Sequence, residues 1–235
     1  MKLLLLSNST NPGEEYLDYP KHEIASFLGK DSLKIVFIPY AAITISYDEY
    51  EERVNARFRE LGQEVKGIHR YDNPREAIQE ADAIVVGGGN TWKLVRMLHD
   101  ENLMSVIKSK VEGGTPYIGW SAGSNVACPT LRTTNDMPII DPKGFDTIGL
   151  IPFQINPHYL DTNPVGHGGE TREMRIMEFV AENKDIYVVG LREGTMLHFD
   201  QGVLRLKGEK TARIFKYGKQ TEELSSGDDF SFLLK

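Results

Sequence analysis

Thr115-Pro116-Tyr117-Ile118-Gly119-Trp120-Ser121-Ala122-Gly123-Ser124-Asn125 reads as a short apolar strand, a glycine-flanked turn and the start of a helix. Gly119-Trp120-Ser121-Ala122-Gly123 fits the pattern G-x-S-x-G, in which a serine sits at a sharp strand-to-helix turn. The glycines relieve steric conflict where a Cβ would meet neighbouring backbone. The hydroxyl then projects from the carboxyl end of the strand, and the N–H of Ala122 points to where an oxyanion would form. A glycine-rich turn with a serine that only caps the helix has the same sequence, so the surrounding pattern has to decide.

Outward from this turn, short apolar runs recur at Leu3–Leu6, Ile35–Ile38, Ala83–Val86, Tyr117–Ile118 and Ile186–Val189. Runs without alternation belong to strands covered on both faces, as in a parallel sheet between helices. Helices are predicted at Lys21–Leu28, Tyr47–Leu61, Thr91–His99, Leu103–Glu112 and Thr171–Asn183. The best of them places Tyr47, Tyr50, Val54, Phe58 and Leu61 on one stripe, with Ser46 and Glu49 as a capping box and Arg57 and Arg59 near its far end. Beyond Met196 the pattern changes to strand-like Met196–Phe199, Val203–Leu206 and Ala212–Tyr217, broken by Gln201-Gly202 and Lys207-Gly208. The expected fold is a single α/β domain over residues 1–235, a mostly parallel central sheet flanked by helices with an antiparallel C-terminal addition to one sheet edge.

Composition narrows the function. The 235 residues carry 27 basic and 34 acidic side chains, a net charge of −7, which argues against a nucleic-acid partner. One cysteine, Cys128, excludes a disulfide framework; seven residues past Ser121, it reads as a small packing residue. No apolar run approaches the roughly 20 residues that cross a bilayer, so no membrane partner is expected. The opening Leu3–Leu6 run is shorter than the roughly 7–15 residues of a secretory h-region, and a cytoplasmic location is expected.

A second glycine cluster, Gly87-Gly88-Gly89-Asn90-Thr91, also follows an apolar strand, so Gly88 or Gly89 can supply a further oxyanion N–H. A phosphate-binding turn is the other use of such a cluster, but neither nucleotide fingerprint is present and no cofactor is expected. Serine needs a base, and histidine is the usual one. His22, His69 and His99 precede the serine within or beside regular elements, and His198 alternates in a hairpin strand. His158 and His167 fall in the irregular Asn156–Glu170 region, after the strand-like Ile148–Phe153; His158, directly after that segment, is the better placed. The carboxylate that would hold its tautomer is Glu193, at the end of the Ile186–Leu191 run, or Asp136, in the polar loop after the serine; Asp136 could instead bind a substrate amine. Asp161, His158 and His167 match no metal-ligand spacing, and no metal is expected. Trp92 and Trp120 suit a cleft wall or the core equally well.

Together with Asn156-Pro157-His158-Tyr159, Gly168-Gly169-Glu170-Thr171-Arg172 and Leu191-Arg192-Glu193-Gly194-Thr195, the serine and glycine turns resemble peptidase E, the α-aspartyl dipeptidases. The resemblance runs from the first strand to Glu193. It implies a fold similar to class I glutamine amidotransferases with serine in place of cysteine, Ser121 as nucleophile, His158 as base and Glu193 as third member. Asp136 is carried as a second active-site acid. The implied substrate is a small peptide, a dipeptide with N-terminal aspartate. Arg172 fits an anion pocket independently, because a cation in the first turn of a helix opposes the helix dipole unless both receive an anion. An ordinary surface arginine paired with Glu170 or Glu173 has the same sequence. The rival readings are a cyanophycinase-like hydrolase of β-aspartyl peptides and a non-catalytic anion-binding module.

Overall fold

Leu3 and Leu5 are buried in one hydrophobic cluster and Leu4 and Leu6 in another, so the first strand has a core on each face. Burying each such leucine contributes about 1.5–3 kcal/mol, which is why this run tolerates no polar alternation. The computed structural model describes every residue except Lys30, Pro164 and His167. Its first half alternates strands β1 (Lys2–Leu6), β2 (Ile35–Ile38), β3 (Val65–Gly67), β4 (Ala83–Val86) and β5 (Tyr117–Trp120) with helices α1 (Lys21–Leu28), α2 (Tyr47–Glu60), α3 (Pro74–Glu80), α4 (Thr91–Asp100), α5 (Met104–Glu112) and α6 (Ala122–Asn125). The second half adds β6 (Gln154–Tyr159), α7 (Arg172–Glu182), β7 (Val188–Arg192), β8 (Met196–Asp200), β9 (Val203–Lys207), β10 (Ala212–Phe215) and β11 (Glu222–Leu224).

The strands form two sheets. The larger has the order β3-β2-β4-β5-β1-β8-β9, its first five strands parallel and β8 and β9 antiparallel. The smaller has the order β11-β10-β7-β6, with β6 and β7 parallel. The C-terminal addition therefore divides: β8 and β9 extend the large sheet beside β1, and β10 and β11 extend the small one beside β7. No described helix is long and apolar enough to cross a membrane.

Helix α2 starts as its sequence predicts, with the Ser46 hydroxyl accepting from the Glu49 N–H and the Glu49 carboxylate accepting from the Ser46 N–H. Arg57 departs from expectation. It is buried, and its guanidinium binds Glu15 at 3.1 Å, Asp18 at 3.2 Å and Glu60, tying the helix to the loop after β1. The Ile148–Phe153 segment is not a strand. It folds back on the end of α6, where Ile148 N–H donates to Val126 and Leu150 N–H to Ala127. The strand begins at Gln154 instead, so His158 lies within β6 rather than in a loop behind a strand.

Candidate active site

β5 ends at Ser121, whose backbone takes φ 51° and ψ −111°, a conformation that costs a non-glycine residue about 1–3 kcal/mol. The turn is held by Ser121 N–H donating to Leu6 at 3.1 Å and by the Ser124 and Asn125 N–H groups donating to the Ser121 carbonyl. Glycine is obligatory on both sides. A Cβ on Gly119 would lie 2.4 Å from the Gly123 oxygen, and one on Gly123 2.2 Å from the Val86 oxygen.

His158 Nε2 lies 3.0 Å from Ser121 Oγ, and His158 Nδ1 lies 2.6 Å from Glu193 Oε1. Glu193 directly follows β7, so three strand ends from two sheets meet here. A proton on Nδ1, donated to Glu193, leaves the Nε2 lone pair facing the serine hydroxyl. The cleft in front of the serine has a volume of about 520 Å³ and is lined by His158, Gly88, Gly89, Asp136 and Arg53, among others.

Gly88 abuts the serine: a Cβ there would sit 3.1 Å from Ser121 Cβ. The Gly88 carbonyl accepts from the Tyr50 hydroxyl at 2.9 Å, and Tyr50 in turn accepts from Trp120 Nε1 at 3.1 Å and from Tyr16 at 3.3 Å. Burial pushes the Tyr50 and Tyr16 phenols up, so both stay protonated. In a trans peptide the N–H opposes the C=O, so tying the Gly88 carbonyl back to Tyr50 turns the Gly89 N–H the other way. Among the described residues, none accepts from the N–H of Gly88, Gly89 or Ala122.

Asp136 lines the same cleft without a hydrogen bond to His158. Its carboxylate accepts from Thr91 N–H at 2.7 Å, Thr91 Oγ1 at 2.6 Å and Thr134 Oγ1 at 3.0 Å, at the amino end of α4. Arg172 opens α7, whose N-cap is Thr171, and does not line the serine cleft. It lines a neighbouring cavity of about 190 Å³ with Arg132, Arg175 and Asp136, and Asp136 alone among these borders both spaces. Burial, and then Arg175, hold the Arg172 guanidinium below its usual range. Glu170 pairs with Arg175 and Glu173 with Arg213, so neither is taken by Arg172.

The other candidates lie elsewhere. His22 is in α1 and His99 in α4, His69 binds Asp48 at 2.8 Å, and His198 in β8 packs edge-on against Phe27. His167 lies outside the described residues. Asp161 is bound by Arg192, and Cys128 is buried with its thiol pushed up to about 12 by that burial. Trp120 lines the cleft, whereas Trp92 packs against Phe145.

The sequence model of peptidase family S51 matches residues 3–207. The chain belongs to peptidase family S51. It is therefore a peptidase, and its similar relatives are named peptidase E. Peptidase E of Nostoc sp. is 53% identical over 234 residues, covering 100% of this chain and 97% of that protein. Peptidase E of Salmonella typhimurium is 46% identical over 231 residues, covering 98% of this chain and 100% of that one. A solved peptidase from an acI-B1 Actinobacterium shares the fold, with a TM-score of 0.69 at 19% identity over 98% of this chain and 96% of its own.

Four residues around this candidate site escape a sequence reading centred on the serine: Tyr50, Arg53, Ser7, whose hydroxyl accepts from His158 N–H at 2.9 Å, and Asn8, whose Oδ1 accepts from Gly194 N–H at 2.9 Å. Arg53 lines the serine cleft with its guanidinium 5.1 Å from the centre of the Tyr16 ring. Tyr50 reads as core stripe because its ring is core, and only its hydroxyl reaches the glycine turn. Ser7-Asn8 had an available signal. A polar pair at the carboxyl end of a buried parallel strand stands where sites of open sheets gather.

Proposed function

We propose that the chain is a serine dipeptidase that hydrolyses dipeptides with N-terminal aspartate through an acyl-enzyme on Ser121. The observation that carries this reading is the aligned chain from Ser121 Oγ through His158 to Glu193, at 3.0 and 2.6 Å. Ser121 attacks the scissile carbonyl while His158 Nε2 takes its proton, and Glu193 steadies the imidazolium that forms. The oxyanion is received by the N–H of Ala122 and those of Gly88 and Gly89, groups held in place before substrate arrives. The intermediate collapses as His158 returns its proton to the leaving amine, which departs as the free C-terminal amino acid. Water then attacks the ester with His158 again as base, releasing aspartate and restoring the serine.

Asp136 and Arg172 suit the two charges of an N-terminal aspartyl residue. The first receives the α-ammonium in the cleft, and the second receives the side-chain carboxylate beyond it. An acidic protein needs such a local cation to admit an acidic substrate. The test is a panel of α-Asp-X, β-Asp-X, Glu-X and N-acetyl-Asp-X peptides with the pure protein, alongside trapping by a serine-directed fluorophosphonate. Cleavage confined to α-Asp-X and labelling lost in Ser121→Ala are expected. Preferred cleavage of β-Asp-X would point to a cyanophycinase-like hydrolase, and absence of both labelling and cleavage to a binding module.

A further inference from the structure

The β6–β7 ladder is interrupted where the histidine sits. Asn156 pairs with Gly190 and Tyr159 with Arg192, so Pro157 and His158 together oppose the single residue Leu191. This is a β-bulge, a device that re-aims a side chain at the cost of ladder hydrogen bonds. His158 adopts φ 53° here, and Pro157 has no N–H to give. The His158 N–H and the Leu191 carbonyl would both be orphaned, and neither is. The Ser7 hydroxyl lies between them, accepting from His158 N–H at 2.9 Å and donating to the Leu191 oxygen at 2.7 Å. One hydroxyl, with its single proton and two lone pairs, thus replaces the missing ladder bond.

Ser7 is fully buried and comes from the other sheet, one residue past the end of β1. Its neighbours do parallel work: the Leu6 carbonyl accepts from Ser121 N–H at 3.1 Å, and Asn8 Oδ1 accepts from Gly194 N–H, beside Glu193, at 2.9 Å. Three consecutive residues therefore fix the backbones at or beside all three members of the site. We infer that Ser7 is a positioning residue that holds the strained His158 backbone so that its imidazole meets Ser121 and Glu193 together; this rests on the proposed roles of those three residues. A buried hydroxyl bridging a bulge is a rigid support, and a misplacement of about 1 Å in a reacting group costs on the order of a hundredfold in rate.

The test compares Ser7→Ala with Ser7→Cys, which keeps a donor at the same branch, on a somewhat larger atom, but supplies a much weaker hydrogen bond. Active sites are first counted by fluorophosphonate titration, so that kcat is expressed per competent site, and KM for α-Asp-X is measured beside it. Ser7→Ala should lower kcat per site by about tenfold to a hundredfold with KM nearly unchanged, and slow Ser121 labelling by the same factor. Ser7→Cys should fall between, and should weaken the downfield proton resonance of the His158 Nδ1–H. If Ser7→Ala does not fold, Ser7→Cys carries the comparison. A wild-type kcat per site, with loss confined to Tm or to the number of titratable sites, would overturn the inference and leave Ser7 a fold residue only. Failure of the proposed function looks different: wild type would not label, or Ser121→Ala would still hydrolyse substrate.

Discussion

Replacing Tyr50 with Phe removes one oxygen from the wall behind the glycine turn and leaves the ring in place. That oxygen takes part in three hydrogen bonds: it donates to the Gly88 carbonyl and accepts from Trp120 Nε1 and Tyr16. The costs differ by exposure. Trp120 is 1% exposed, so its N–H has no route to water, and an orphaned buried donor costs about 1–3 kcal/mol. Gly88 and Tyr16 are partly exposed, so each loses only the net value of an ordinary bond, about 0.5–1.5 kcal/mol. The total is roughly 2–6 kcal/mol, and at about 2–4 °C per kcal/mol for a chain of this size Tm should fall by roughly 4–24 °C. A second effect is separable. With its carbonyl untethered, the Gly88–Gly89 peptide can rotate, and kcat should fall toward the roughly hundredfold loss that removing one oxyanion donor brings. Thermal unfolding by circular dichroism measures the first effect, and steady-state hydrolysis of α-Asp-X well below the new Tm measures the second. A lowered Tm with unchanged kcat would refute the assignment of this peptide to the oxyanion. An unchanged Tm would refute the hydrogen-bond accounting itself.

Glu193→Gln should lower kcat with little change in KM, whereas Asp136→Asn should raise KM more than it lowers kcat; the opposite ranking would give Asp136 the imidazole. Arg172→Ala should erase the preference for Asp-X over Asn-X, since losing a charge-assisted contact costs about 1.5–3 kcal/mol, a factor of roughly ten to a hundred. An unchanged preference would move the anion pocket to Arg53, the cation that lines the serine cleft itself. Arg192 binds Asp161 and Glu223 and holds both carboxyls below their usual range, chiefly through its hydrogen bonds to them. Because these folded-state pKa values are depressed, the stability they contribute is present at neutral pH and lost as pH falls through and below about 4. The Tm gap between wild type and Arg192→Gln should therefore narrow in acid, and a gap constant with pH would refute this role.

Continuous apolar runs and helical stripes show in a single sequence because they are local, and β1, β2, β4 and α2 were legible for that reason. β3 was not: Val65-Lys66-Gly67 is three residues long with a charge at its centre. Nor was the division into two sheets, because period reports which residues are buried and not which strands pair. β6 was obscured by Asn156-Pro157, which reads as a turn. Proline fits there because β6 is an edge strand with a bulge, positions where a missing N–H is tolerated. Within the candidate site, Ser121 and Glu193 were each legible as a polar residue closing an apolar run, whereas His158 was placed after a strand-like Ile148–Phe153 and lies instead inside β6. That His158 bonds Glu193 and not Asp136 is a contact between distant segments that no local pattern reports, as is the placing of Arg172 in a separate cavity. Buried Arg57 misled in the opposite direction, since a helix-end arginine beside Glu60 looks like solvated charge until Glu15 and Asp18 arrive from the loop after β1.

The hydroxyl of Ser7 meets partners 151 and 184 positions along the chain, and Asn8 meets one 186 away. Contacts this distant in sequence are the slowest to close, because the intervening chain must be ordered before they are rewarded. Synthesis proceeds from the amino end, so β1 leaves the ribosome long before anything it will support. A nascent chain can carry the serine turn, and even the glycine cluster beside it, while the histidine and its acid are not yet made. With the proposed roles of Ser121, His158 and Glu193, hydrolytic competence is acquired late in the birth of the molecule, once the segment through Thr195 has closed onto the first strand.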